Sequence, residues 1–255
     1  ITSTTDRIEV LTQHRVIGGL RPAMVLRTSG DALEVLTTDR QTVSMGYQGW
    51  RWTSRSPSQI LHPGDVIYLW SDSKHKLRLA QLPRVQGALV SLNPSDGSVL
   101  ALIGGFDFGQ SNFNRATQAL RQPGSNIKPF IYSAALENGF TAASLVSGAP
   151  IVIEDSISGD WRPQNYSRKV FGPTRLREAL SKSLNLVSVR LVRALGVEAV
   201  RDYLEKFGFD RARLPQGLSL ALGSATVTPM EIARAYGVFA NGGYLVEPFF
   251  IARVE

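Results

Sequence analysis

Arg121-Gln122-Pro123-Gly124-Ser125-Asn126-Ile127-Lys128-Pro129-Phe130 sets the frame in which the rest of the chain is read. Gly124 permits a tight turn, and Ser125 is a favourable cap or first-turn residue for a helix. Pro129 would break a helix interior, but near a start it removes a donor that has no intrahelical partner. Phe130, Ile131, Ala134 and Ala135 then supply an apolar face, and Gly139 ends the helix. Residues three apart share a helix face, so Ser125 and Lys128 can meet. That suits nucleophilic catalysis: a serine hydroxyl needs a base, and a lysine serves as one when burial or a nearby cation keeps it neutral. A helix N-terminus also favours negative charge near Ser125. The competing reading is a helix cap beside an ion-pairing lysine. Spacing alone does not decide between them. Ser71-Asp72-Ser73-Lys74 and Ser73-Lys74-His75-Lys76 repeat the pattern in a polar turn where both are expected to be solvated.

Composition narrows the classes. The chain has 255 residues, 43% of them hydrophobic and 19% charged, enough for one large or two modest domains with a real core. It has no cysteine, which excludes disulfides and thiolate metal sites. His14, His62 and His75 share no metal-ligand spacing; surface positions and no zinc site are expected. A formal net charge of +7 with a pI near 9.9 suits an anionic partner, whether nucleic acid, membrane surface or cell-wall polymer. No apolar run approaches the roughly 18 residues of a membrane span, and no signal peptide opens the chain. The start Ile1-Thr2-Ser3 reads as a cut into something longer.

Residues 1–19 are mixed and polar, and read as a linker or the remnant of a preceding domain. Residues 20–84 carry short apolar runs separated by turns. Ala23–Arg27 and Leu33–Leu36 flank a hairpin signal at Thr28-Ser29-Gly30-Asp31, with further strands at 41–45, 66–70 and 77–82. This spacing predicts a small all-β, OB-like barrel. Tyr47, Trp50 and Trp52, interleaved with Arg51 and Arg55, read either as a stacking platform for nucleic acid or sugar or, preferred here, as packing against a neighbouring domain. Residues 85–255 begin with a hairpin of 87–92 and 98–104 around Asn93-Pro94-Ser95-Asp96-Gly97. After the Ser125 helix, about 141–173 is irregular and rich in Gly, Ser, Pro and Asp. Helices are then predicted from Thr174 to about Ser181, at 186–195 and 198–207, and from a capping box at Thr228-Pro229-Met230-Glu231 to about Ala240.

In order along the chain, the motifs resemble those of a known family. Asn114-Arg115-Ala116 followed by Arg121–Phe130 resembles the first active-site motif of class A penicillin-binding proteins. Trp161-Arg162-Pro163-Gln164-Asn165-Tyr166 resembles the segment leading to their second motif. Leu176-Arg177-Glu178-Ala179-Leu180-Ser181-Lys182-Ser183-Leu184-Asn185 resembles that Ser-x-Asn motif itself, and Leu220-Ala221-Leu222-Gly223 and the Thr228-Pro229 helix continue the match. Ser91-Leu92-Asn93 has the same Ser-x-Asn spacing but belongs to a turn. The likeness covers about residues 84–255. The Ser-Asn-Ile-Lys wording and the preceding OB-like module point to the 1a type of Gram-negative bacteria.

The resemblance implies an α+β transpeptidase fold, an antiparallel sheet between helical layers, incomplete here at its C-terminus. It implies a D,D-transpeptidase that cross-links peptidoglycan stem peptides through a serine acyl-enzyme, is inhibited by β-lactam antibiotics and needs no cofactor. Ser125 would be the nucleophile and an oxyanion donor through its backbone N–H, and Lys128 the base. Ser183 would relay a proton, and Asn185 would hold substrate and Lys128. The family's third motif, Lys-Thr-Gly, is not in this sequence; a segment following Glu255 is expected to supply it, docked as a second chain. The resemblance also implies a membrane anchor and glycosyltransferase domain outside this chain, the periplasmic face of the inner membrane as its place, and cell-wall synthesis proteins as partners, with no nucleic acid. A serine β-lactamase-like hydrolase and a polyanion-binding OB module stand as alternatives.

Overall fold

In a computed structural model that describes residues 3–154 and 159–254, the chain divides into two units: Ile1–Gly87 with Gly105–Phe113, and Ala88–Gly104 with Asn114–Glu255. The first unit begins with helix α1 (Thr4–Thr12), where a linker or remnant was expected. Ser3 caps it by accepting from Asp6 N–H at 3.1 Å. Ile8 and Leu11, one turn apart, pack with Met24 and Leu36. Two buried side chains in nine residues leave little periodic signal in the sequence; the packing surface that selects the helix lies on the sheet.

That sheet, with the short helix α2 (Pro57–Ile60) between its third and fourth strands in the chain, has five strands, β1 (Arg21–Thr28), β2 (Leu33–Thr37), β3 (Thr42–Met45), β4 (Val66–Ser71) and β5 (Leu77–Ala80). They run antiparallel in the order β3-β2-β1-β4-β5. Alternation along the strands sorts the side chains. Ala23, Val25, Leu33, Val35, Ile67, Leu69 and Leu79 enclose one core with Met45 and Trp50, while Met24 and Leu36 turn to α1. Of the aromatic cluster read from the sequence, Trp50 is therefore a core residue of its own unit, and Tyr47 and Trp52 are exposed. The Trp52 indole N–H donates to Leu79 O at 2.8 Å.

The second unit opens with the predicted hairpin, β6 (Leu89–Leu92) and β7 (Val99–Ile103). The short helix α3 (Arg115–Gln118) follows, packing on β7. A 3₁₀ turn over Gly124–Ile127 then leads directly into α4 (Lys128–Glu137). The span read as irregular contains a strand, β8 (Leu145–Ser147), paired antiparallel with β9 (Pro173–Arg175). Three residues on each side are too few for an alternating pattern. Its residues 155–158 lie outside the described ones. Thr174 belongs to β9, its hydroxyl donating to Gly172 O, so α5 (Leu176–Ser181) starts after Arg175 rather than at a threonine cap. Helices α6 (Asn185–Leu195), α7 (Val197–Glu205) and α8 (Pro229–Ala240) complete the unit. The capping box of α8 forms as read: Thr228 Oγ1 accepts from Glu231 N–H, and Glu231 Oε2 from Thr228 N–H.

Helix α4 is the axis of this unit. Phe130, fully buried, lies 5.0–5.2 Å from the rings of Phe207, Phe209, Tyr236 and Phe239. Ile127, Ile131 and Ala135 join Val187, Leu191 and Leu220 in the same core. A helix fixed on so many sides gives its first turn little freedom, and that turn holds Ser125 and Lys128.

Candidate active site

Ser125 stands exposed on the 3₁₀ turn. The turn is set by a close approach of two glycines. Gly124 adopts φ +55 and donates its N–H to Gly223 O at 3.3 Å. Gly223 has φ +73, and a Cβ there would fall 2.0 Å from Gly124 O. The stretch Leu218–Leu222 ends on this residue, which gives the Ala-Leu-Gly part of the sequence pattern its physical role as the seat of the serine turn. Two further ties secure that turn: Arg121 and Val227 exchange backbone hydrogen bonds at 2.9 and 3.0 Å, and Tyr236 Oη donates to Asn126 O at 3.0 Å. Among the described residues no hydrogen bond engages the Ser125 hydroxyl.

Lys128, one turn on, is 1% exposed. Its ammonium donates to Ser183 O at 2.7 Å, Ser183 Oγ at 2.9 Å and Asn185 Oδ1 at 2.6 Å. All three N–H bonds of a charged lysine are thus occupied. Burial pushes its pKa down from 10.5 to about 8, because every acceptor is a neutral oxygen and no carboxylate compensates the lost hydration. Loss of one proton opens a lone pair on Nζ.

Ser183 and Asn185 come from the α5–α6 junction. Ser183 has φ +52, a left-handed conformation that costs a non-glycine residue about 1–2 kcal/mol. Ser183 N–H to Leu180 O and Leu184 N–H to Ala179 O, both 2.9 Å, hold it. This bend turns both its carbonyl and its hydroxyl to Lys128. Asn185 opens α6 and donates Nδ2 to Gln164 O at 2.8 Å, which leaves Oδ1 for the lysine. The structure therefore joins Lys128, Ser183 and Asn185 by direct hydrogen bonds and sets Ser125 on the adjoining turn. Gly223 and Asn165 also shape the site but were quoted in the sequence only as parts of longer matches. For Gly223 the available signal was a glycine directly following the apolar Leu220-Ala221-Leu222.

The other matches to these spacings fall apart in three dimensions. Asp72 organises the turn holding Ser71, Ser73, Lys74 and Lys76, accepting from Lys74 N–H and Lys76 N–H at 2.9 Å and pairing with Arg78. Asn93 closes the β6–β7 turn by accepting from Ser95 N–H. The three histidines are exposed, and among the described residues no cluster of histidine and carboxylates is placed to hold a metal. No described helix is long and apolar enough to cross a membrane.

The family model described as penicillin binding protein transpeptidase domain matches residues 87–255, and the one described as penicillin-binding protein OB-like domain matches residues 2–85. The chain is 49% identical over 258 aligned residues to penicillin-binding protein 1A of Pseudomonas aeruginosa, covering 96% of this chain and 31% of that protein. The crystal structure of penicillin-binding protein 1A from Haemophilus influenzae superposes with TM-score 0.89 at 37% identity, covering 98% of this chain and 37% of that one. Penicillin-binding protein A of M. tuberculosis, solved as its penicillin G acyl-enzyme complex, matches with TM-score 0.56 at 27% identity over 64% of this chain and 48% of that one. The chain spans about a third of the curated relatives it matches.

Proposed function

Because the chain belongs to the penicillin-binding protein transpeptidase family, we propose that it carries the acyl-transfer centre of a peptidoglycan D,D-transpeptidase with Ser125 as nucleophile. The observation that carries this reading is Lys128, buried without a counter-ion one turn after an exposed serine, with its ammonium on Ser183 and Asn185. Neutral Lys128 takes the Ser125 hydroxyl proton as Oγ attacks the carbonyl carbon between two terminal D-alanines of a stem peptide. The carbonyl oxygen becomes an oxyanion, received by backbone N–H groups including that of Ser125. The proton passes from Lys128 Nζ through Ser183 Oγ to the leaving nitrogen. The C–N bond breaks, and D-alanine departs as an amine. Asn185 keeps the lysine on this path and offers its amide to the substrate backbone. The amine of a second stem peptide then attacks the ester, gives its proton to Lys128, and Ser125 Oγ leaves and recovers a proton.

A β-lactam enters the same first step, but its leaving nitrogen stays tethered, so the acyl-enzyme persists. In the whole protein this centre faces the periplasm from an inner-membrane anchor, beside a glycosyltransferase domain and among cell-wall synthesis proteins. Incubating the full-length protein with fluorescent penicillin tests the reading against hydrolysis of the β-lactamase kind. Stable stoichiometric labelling that Ser125→Ala abolishes is expected. Rapid release of hydrolysed penicillin over many turnovers would make the protein a β-lactamase-like hydrolase instead.

A further inference from the structure

We infer that Asn165 is a positioning residue for the Ser183–Asn185 turn, acting as the cap of helix α6 from outside that helix. Helix α6 begins at Asn185, and the residue at its cap position is Leu184, with no side-chain hydrogen bond to the first turn. A leucine has no oxygen to offer the free N–H groups there, which Ser, Thr, Asp or Asn commonly satisfy. Asn165, twenty residues earlier in the chain, supplies it. Its Oδ1 accepts from Asn185 N–H at 2.9 Å and from Leu186 N–H at 3.3 Å. Its Nδ2 donates to Lys169 O at 2.9 Å, inside a turn that Arg168 N–H closes onto Asn165 O at 2.9 Å. The residue is 5% exposed. Two donors face one end of the amide and a carbonyl faces the other, so only one orientation of the side chain satisfies the site.

The neighbouring residue completes the grip. Gln164 O accepts from Asn185 Nδ2 at 2.8 Å. The pair Gln164-Asn165 therefore holds Asn185 by its backbone N–H and by its side-chain NH₂ together. With Nδ2 turned to Gln164 O, the side chain presents Oδ1 to Lys128 Nζ and keeps a second Nδ2 hydrogen. Were the amide reversed, its NH₂ would face an ammonium. The same cap fixes the start of α6 two residues after Ser183, whose left-handed backbone has to be held against its own preference. The segment is itself tied down where Trp161 and Ile153 exchange backbone hydrogen bonds at 2.9 and 3.0 Å. Pro163, also buried, lies between that tie and Asn165. Asn165 touches neither Ser125 nor Lys128 in any of these contacts; it acts through Asn185.

The inference rests on the proposed role of Ser125 and Lys128, and the experiment separates the two. In the full-length protein, the second-order rate of acylation by fluorescent penicillin is measured against pH for wild type, Asn165→Ala, Asn165→Asp and Ser125→Ala. Asn165→Ala is expected to lose about 10- to 100-fold in rate and to move the pH midpoint upward, as Lys128 is released from its dry site. Asn165→Asp keeps the acceptor for the α6 N–H groups but has no donor for Lys169 O, and is expected to fall between wild type and Asn165→Ala, within about tenfold of the wild-type rate. An alanine variant with the wild-type rate and midpoint, while Ser125→Ala is dead, overturns the inference and leaves the nucleophile standing. Normal labelling of Ser125→Ala overturns the reading beneath both. Should the alanine variant not fold, the aspartate variant decides. A loss smaller than that expected for alanine supports the cap, and a loss of the full size expected for alanine refutes it, because Asn165→Asp preserves the acceptor for α6 while giving up the donor to Lys169 O.

Discussion

Lys128 is buried to 1% exposure with no carboxylate among its hydrogen-bond partners, and its chemistry follows from that. With a pKa of about 8, about one molecule in ten carries it neutral at pH 7. Acylation by penicillin is therefore expected to rise with pH through a midpoint near 8, where an ordinary lysine would place it near 10.5. Lys128→Arg should lose acylation at every pH, since guanidinium stays charged; an arginine variant acylating normally contradicts the base role. Stability carries the same signature. The folded pKa lies below the unfolded one, so between these values the unfolded chain binds more protons. The group's contribution is least favourable below pH 8 and improves as pH rises toward 10.5. Denaturant unfolding should show wild type gaining up to about 3 kcal/mol on Lys128→Met across that window. A flat difference would mean the lysine is not dehydrated. Ser71→Ala and Ser73→Ala, in a solvated turn, should label like wild type.

At the scale of elements, the serine turn depends on Gly223. Gly223→Ala puts a Cβ 2.0 Å from Gly124 O and a non-glycine residue at φ +73. The backbone has to move, and the backbone that moves carries Ser125. A stability loss above about 1 kcal/mol and a fall in labelling rate of about tenfold or more are expected; a variant labelling at the wild-type rate shows the turn to be set by something else. The sequence made much of this legible. Pro-Gly before the serine, Pro129 at the start of α4, and the capping box of α8 are local chemistry, and they sit where local chemistry puts them. The α1 helix, the β8–β9 pair and the start of α5 were not legible, because each is chosen by a partner distant in the chain. Ser183 and Asn185 could be placed by motif order. What holds them in place, a left-handed serine followed by a helix start whose N–H groups Asn165 accepts, includes a contact across 20 residues that no local pattern encodes.

At the scale of the whole molecule, the exposed arginine–aromatic cluster and the chemistry separate. The joined residues Lys128, Ser183 and Asn185 all belong to one unit, and Arg51, Arg55 and the exposed Tyr47 and Trp52 belong to the other. Arg51→Glu combined with Arg55→Glu is thus expected to leave the penicillin acylation rate unchanged, since the hydrogen-bond partners of Lys128 and Asn185 described above all come from the second unit. A large change would tie the first unit to the acyl-transfer step.

The central claim is that one hydroxyl, Ser125 Oγ, forms the acyl-enzyme. Its most direct test is peptide mapping by mass spectrometry of the full-length protein after reaction with penicillin. A single penicilloyl adduct on the peptide that contains Ser125, absent from the Ser125→Ala protein, is the predicted result. An adduct on Ser183 or any other residue, or an undiminished adduct in Ser125→Ala, would contradict it.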